Sequence, residues 1–119
     1  IDLDSCREIA GEGAFVELDC FGWNAPGTGA DGDDLPHCDR ERVAAVAVLC
    51  AAGCADRLLV SHDIAMKIQL TAYGGFGYAY LARNLPPFFA RRGVDADTLR
   101  RIMVDNPARW LAWEAPLEG

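Results

Sequence analysis

Long apolar runs are missing from this sequence. None of its 119 residues belongs to a stretch near the about 18 apolar positions a membrane span needs, and no signal peptide is visible, so no membrane partner is expected. Positive charge is scarce: 11 Lys and Arg stand against 18 Asp and Glu, a net charge of −7, which argues against a polyanion partner such as nucleic acid. The five cysteines, Cys6, Cys20, Cys38, Cys50 and Cys54, are odd in number and contain no Cys-x-x-Cys pair. Neither a disulfide framework nor a zinc ribbon is indicated, and a reduced, cytoplasmic setting follows. The Tyr73–Tyr78 segment has no Gly-x-Gly-x-x-Gly spacing and is no phosphate loop, and internal repeats and low-complexity tracts are absent as well. Small molecules, or other parts of the same fold, are the partners this balance favours.

What is present is an alternation of helix and strand signals. Asp2 or Asp4 caps a helix over about 3–12, with Cys6, Ile9 and Ala10 as its apolar stripe and Gly11 and Gly13 as stops. The chain begins at Ile1, inside what reads as the turn before that helix, and is expected to be incomplete. Residues 14–21 read as a strand with Phe15, Glu17, Asp19 and Phe21 on one face and Ala14, Val16, Leu18 and Cys20 on the other. The second face is apolar and suits packing under helices; the first carries two acids that need partners if buried.

Residues 22–36 read as a long loop, and its position after a strand makes it a candidate lid. Asp31, Asp33 and Asp34 lack the EF-hand order and read as solvated, as does His37. Trp23 reads equally as a pocket wall or a loop anchor. Asp39 is expected to cap a helix over 40–52, in which Val43, Val46, Ala47 and Cys50 recur at helical spacing before Gly53. Cys50 and Cys54 fit small-residue packing there better than metal binding.

Leu58, Leu59 and Val60 then open a short apolar strand over 58–62 that runs into Ser61, His62 and Asp63. Alternation puts Leu59, Ser61 and Asp63 on one face. A carboxylate at the carboxyl end of such a strand sits where α/β folds collect ligands and metals, which marks Asp63 as a site residue. His62 alternates with it and is expected to make a structural hydrogen bond rather than hold a metal. Lys67 is expected to pair with a nearby carboxylate.

Tyr73-Gly-Gly-Phe-Gly-Tyr78 offers a backbone able to approach a ligand closely. Residues 78–92 read as helix broken at Pro86 and Pro87. Asp95 caps a further helix bearing Leu99, Ile102 and Met103, and Asn106-Pro107 restarts a last one whose Trp110, Leu111 and Trp113 are expected in the core. Helix, strand, helix, strand in order is the pattern of a parallel sheet with helices outside.

Leu59-Val-Ser-His-Asp-Ile64, Lys67, Leu70, Tyr73-Gly-Gly-Phe-Gly-Tyr78, Asn84, Pro87, Arg92-Gly-Val94 and Asp105-Asn-Pro-Ala-Arg-Trp-Leu111 together resemble the closing third of the phosphotriesterase-like family. These are metal-dependent hydrolases of the amidohydrolase superfamily. Phe15-Val-Glu-Leu-Asp-Cys-Phe-Gly22 and Trp110 lean toward its phosphotriesterase-related branch. The resemblance implies an α/β fold in which residues 1–119 are the C-terminal portion, the last two strand-helix units, of a single (β/α)8 TIM barrel domain. The chain is far short of the about 250 residues of a complete barrel.

By the same resemblance Asp63 closes strand eight, ligates one of two divalent metal ions, usually zinc, and takes the proton from the bridging hydroxide that attacks substrate. Asp19 falls either just behind the metal ligands or at the substrate pocket, and Phe21, Gly22, Trp23, Gly75 and Phe76 fall at the pocket. The implied activity is hydrolysis of an ester, lactone, phosphoester or amide in a small-molecule substrate, by a full-length chain that supplies the missing strands, and a homodimer is compatible with it.

Two departures stand out. Phe76 replaces the histidine of the usual Gly-Gly-His-Gly-Tyr. The His-x-His of strand one, the bridging residue of strand four and the histidines of strands five and six have no counterpart, and one aspartate cannot hold two zinc ions. The isolated chain is therefore expected to be inactive. A non-catalytic interaction module, a barrel-completing subunit, and a free-standing α/β domain that binds a small anion at residues 73–78 are the rival readings.

Overall fold

A computed structural model describes residues 1–23 and 38–113. The acidic positions Asp31, Asp33 and Asp34, His37 and the lid expected around them lie outside the described residues.

Helix α1 spans Leu3–Gly11. Asp2 is its cap, accepting from the backbone N–H of Asp4 and Ser5 at 3.1 and 3.2 Å and from the Ser5 hydroxyl at 2.7 Å. The Ser5 hydrogen bonds hold the Asp2 carboxyl below its usual range. Ala10 of the expected stripe is buried, whereas Ile9 faces outward.

Strand β1, Val16–Leu18, pairs in parallel with β2, Leu58–Val60, in the register Val16 to Leu58, Glu17 to Leu59 and Leu18 to Val60. Both strands are shorter than the sequence suggests. Cys20 and Asp63 have φ of +61° and +49°, a left-handed conformation that ends an extended ladder. Two bonds still bridge the ends, Ser61 N–H to the Leu18 carbonyl at 3.2 Å and Phe21 N–H to the Ser61 carbonyl at 3.1 Å.

The turn at Cys20 also corrects the expected facing. Val16 and Leu18 are buried and Glu17 and Asp19 exposed, as alternation requires. Phe21, however, leaves the acidic face for the core, 1% exposed and tilted against Phe89 with ring centroids 6.0 Å apart.

Helix α2 spans Asp39–Ala51 and presents Val43, Val46 and Leu49 to the core. Its cap is Cys38 rather than Asp39, with the Cys38 N–H donating to the Glu41 carboxylate at 3.3 Å. Asp39 lies one position inside the helix and is buried. After a 3₁₀ turn at Ala55–Arg57 comes β2, so α2 is the crossover that a parallel pair demands.

Two short 3₁₀ turns, Lys67–Gln69 and Thr71–Tyr73, precede α3 at Tyr80–Asn84 and α4 at Pro86–Ala90. The prolines open α4, where a missing N–H costs no helical bond. Leu81, Leu85 and Phe89, four apart, carry one buried stripe through the break.

Asp95 caps α5, Ala96–Arg100, through a 2.7 Å bond from the Thr98 N–H. One π-helical turn, Arg101–Asp105, joins it to α6, Asn106–Leu111, without a gap. Asn106 is thus no cap. Fully buried, its amide donates to the carbonyls of Ala55 at 2.8 Å and Leu58 at 2.7 Å, clamping the start of β2.

Trp110, Leu111 and Trp113 are exposed, contrary to the core position expected for them. No helix among the described residues is long and apolar enough to cross a membrane.

Candidate metal centre and substrate pocket

Because β1 and β2 are parallel neighbours in register, their carboxyl ends bring residues 19–20 and 63 to the same edge of the sheet. The ligand atoms of Asp19, Cys20 and Asp63 lie within 4.8 Å of one another. Both carboxylates are exposed and Cys20 is half-buried. The Cys20 thiol donates to Asp63 Oδ2 at 3.7 Å.

Desolvation first, and then the hydrogen bond and charge of Asp19 and the charge of Asp63, push the Cys20 thiol up to about 11. It is therefore a neutral donor at pH 7 and not a reactive thiolate. Two carboxylates on one sheet edge suit a divalent cation, but three donors fall short of the four that a closed zinc site takes.

Beside this edge is a cavity of about 400 Å³. Phe21, Gly22, Trp23, Gly75 and Phe76 all line it, together with His62, Ile64 and Met66. Five of the residues singled out in the sequence thus share one concavity, while Asp19 and Asp63 form the separate acidic pair at its flank.

Several side chains that the sequence assigned to no site hold these walls. Asp39 Oδ1 accepts from the Gly22 N–H at 2.9 Å, and its Oδ2 accepts from the Tyr80 hydroxyl at 2.8 Å. Arg42 lies 3.3 Å from the same carboxylate and donates to the Trp23 carbonyl at 3.2 Å. Tyr80 in turn stacks on Phe76 with centroids 4.4 Å apart. Asp39 and Arg42, at i and i+3 in the first turn of a helix, were the one readable sign of this network. The Trp23 Nε1 is buried with no hydrogen-bond partner among the described residues.

His62 makes the structural hydrogen bond expected of it: its Nε2 accepts from the Leu81 N–H at 3.0 Å. That bond requires Nε2 to be unprotonated, so the neutral ring carries its proton on Nδ1. Burial lowers the His62 pKa, opposed by the charge of Asp39. Lys67 does not meet the carboxylate expected for it; it is exposed, and among the described residues no acid lies within ion-pair distance.

The glycine-rich segment has a packing role as well. A Cβ on Gly75 would overlap the Gln69 backbone, so the loop folds tightly on itself as well as facing the cavity. Gln69 Oε1 locks the same loop by accepting from the N–H groups of Ala65 at 2.8 Å and Met66 at 2.7 Å.

The chain as a whole is similar to known proteins. The chain is 36% identical over 114 residues to the N-acetyltaurine hydrolase of Salmo salar, a match covering 95% of this chain and 32% of that protein. A resiniferatoxin-binding protein from Rhodobacter sphaeroides superposes with a TM-score of 0.81 at 37% identity, over 91% of this chain and 30% of that one. The phosphotriesterase homology protein of Escherichia coli, solved with phosphate in its active site, gives a TM-score of 0.78 at 27% identity, over 91% of this chain and 34% of that one.

The chain spans about a third of the length of the curated relatives it matches. Its fold is the α/β, C-terminal portion of a phosphotriesterase-like TIM barrel, in agreement with the class expected from the sequence. The model of the phosphotriesterase family matches residues 1–111, and the chain belongs to that family.

Proposed function

We propose that residues 1–119 form the closing third of one metal-dependent hydrolase barrel, in which Asp63 is a metal ligand and the proton acceptor. The observation that carries this is the meeting of the Asp19 and Asp63 carboxylates at the carboxyl ends of adjacent parallel strands. Each strand pairs on one side only among the described residues, which leaves two edges for strands of the preceding chain.

Asp63 and Asp19 would help to hold divalent ions, zinc by preference and two in number, which would supply Lewis acidity and water of lowered pKa. Asp63 would hold one ion and accept the proton of the attacking water; an ionised carboxylate does both. The Cys20 thiol donates to Asp63 Oδ2, and among the described residues no donor meets the other oxygen. Asp19 lies beside it, and Phe21, Gly22, Trp23, Gly75 and Phe76 would bound the substrate.

The scissile bond is an ester, lactone, phosphoester or amide in a small molecule, and the likeness to N-acetyltaurine hydrolases makes an N-acyl amide the first to test. Five free thiols suit a reduced, cytoplasmic compartment. In the full-length protein, Asp63→Asn is expected to lower bound zinc and to reduce turnover of such amides at least a hundredfold. Undiminished turnover would remove Asp63 from the mechanism. The isolated chain at saturating zinc is expected to show none, and turnover there would overturn its dependence on the missing strands.

A further inference from the structure

A second cavity, of about 530 Å³, lies between the start of α2 and helices α3 and α4, away from the acidic pair. Its apolar wall includes Val43, Leu85 and Phe88, and Arg40, Arg91 and Arg92 stand around it. In a chain of net charge −7, a pocket with three arginines is a local reversal of sign. Among the described residues Asp39 is the one acid lining it, and its carboxylate is already engaged by Gly22, Tyr80 and Arg42.

Among the described residues no carboxylate lies within ion-pair distance of Arg40, Arg91 or Arg92. Arg91 is held over the Phe88 ring, 5.3 Å from its centroid, which sets a guanidinium directly beside an apolar surface. Guanidinium groups match carboxylate oxygens in bidentate geometry, and an apolar wall next to them rewards an aliphatic body on the same ligand.

We propose that this cavity binds an amphipathic anion, an acyl carboxylate with its head at Arg91, Arg92 and Arg40 and its chain against Phe88 and Leu85. The proposal stands independently of the hydrolase reading, since none of these residues belongs to the acidic pair or its pocket.

Isothermal titration of the full-length protein with octanoate, octanol and inorganic phosphate tests it. Octanoate is expected to bind with octanol and phosphate each at least tenfold weaker, because each lacks half of the recognition. Arg91→Gln with Arg92→Gln should weaken octanoate at least tenfold while leaving the thermal midpoint in place, since both side chains are exposed. Asp63→Asn should leave octanoate affinity unchanged. Loss on Asp63→Asn with retention in the arginine variants would assign the carboxylate to the other site and overturn the proposal, as would absence of octanoate binding. Association with phosphatidylglycerol vesicles without octanoate uptake would equally overturn it in favour of a lipid surface.

Discussion

Asp39→Ala is the most informative single perturbation of this structure. The Asp39 carboxylate receives the Gly22 N–H and the Tyr80 hydroxyl and faces the Arg42 guanidinium at 3.3 Å. Its side chain is 11% exposed and that of Arg42 8%, so solvent screens neither appreciably. Removing the acid leaves a buried cation with the Trp23 carbonyl as its one acceptor among the described residues. Breaking one partner of a buried pair costs about 3–5 kcal/mol, most of it from the orphaned charge rather than the lost attraction. Asp39→Asn keeps an acceptor for Gly22 and should cost less, about 1–3 kcal/mol.

Chemical denaturation of the full-length protein measures the loss, with the double variant Asp39→Ala, Arg42→Met closing a mutant cycle. The double variant should be more stable than Asp39→Ala alone because it removes the orphaned charge. The same variants should raise KM more than they lower kcat, since Gly22 and Trp23 wall the cavity but are not expected to touch the reacting atoms. An Asp39→Ala protein within about 1 kcal/mol of the parent, or a double variant less stable than the single, would refute the reasoning.

Asn106→Ala deprives two backbone carbonyls of their buried donor and should cost about 2–4 kcal/mol in the same denaturation assay, with faster amide exchange over residues 55–60. Gly75→Ala should raise KM and cost about 1–3 kcal/mol, because its Cβ meets the Gln69 backbone, which cannot swing aside as a side chain would. Burial lowers the His62 pKa from 6.5, so the unfolded chain binds the proton first as pH falls. Its contribution to stability is complete above that value and is lost as pH drops from it toward the lowered folded pKa. His62→Gln should flatten the stability profile in that acid window, and an unchanged profile would mean that the ring does not titrate differently in the fold.

Local signals in the chain carried well where one residue's own chemistry decides the backbone. Asp2 and Asp95 cap helices as expected, because a short acceptor beside free N–H groups needs no distant partner. Pro86 and Pro87 break the helix where they stand, since a missing N–H acts locally. Periodicity erred at Phe21, where a left-handed Cys20 reverses the alternation, and at Asn106, which has the right composition for a cap but is drawn into the core by carbonyls about fifty positions upstream. Both depend on contacts far apart in sequence. Arg42 and Tyr80 escaped notice, and Asp39 was read only as a helix cap, for the same reason: the groups they join, from residue 22 to residue 80, are neighbours only after the parallel crossover forms.

The order of elements, the acidic strand ends and the family kinship were thus set by the sequence alone, through periodicity, capping and motif spacing. The meeting of Asp19 with Asp63, the thiol laid against that carboxylate and the gathering of five pocket residues around one cavity were decided by the tertiary structure. A linear pattern specifies which way each short segment twists and which face it hides. Only the register of two strands, and the two left-handed residues that end them, settles which side chains meet across the gap.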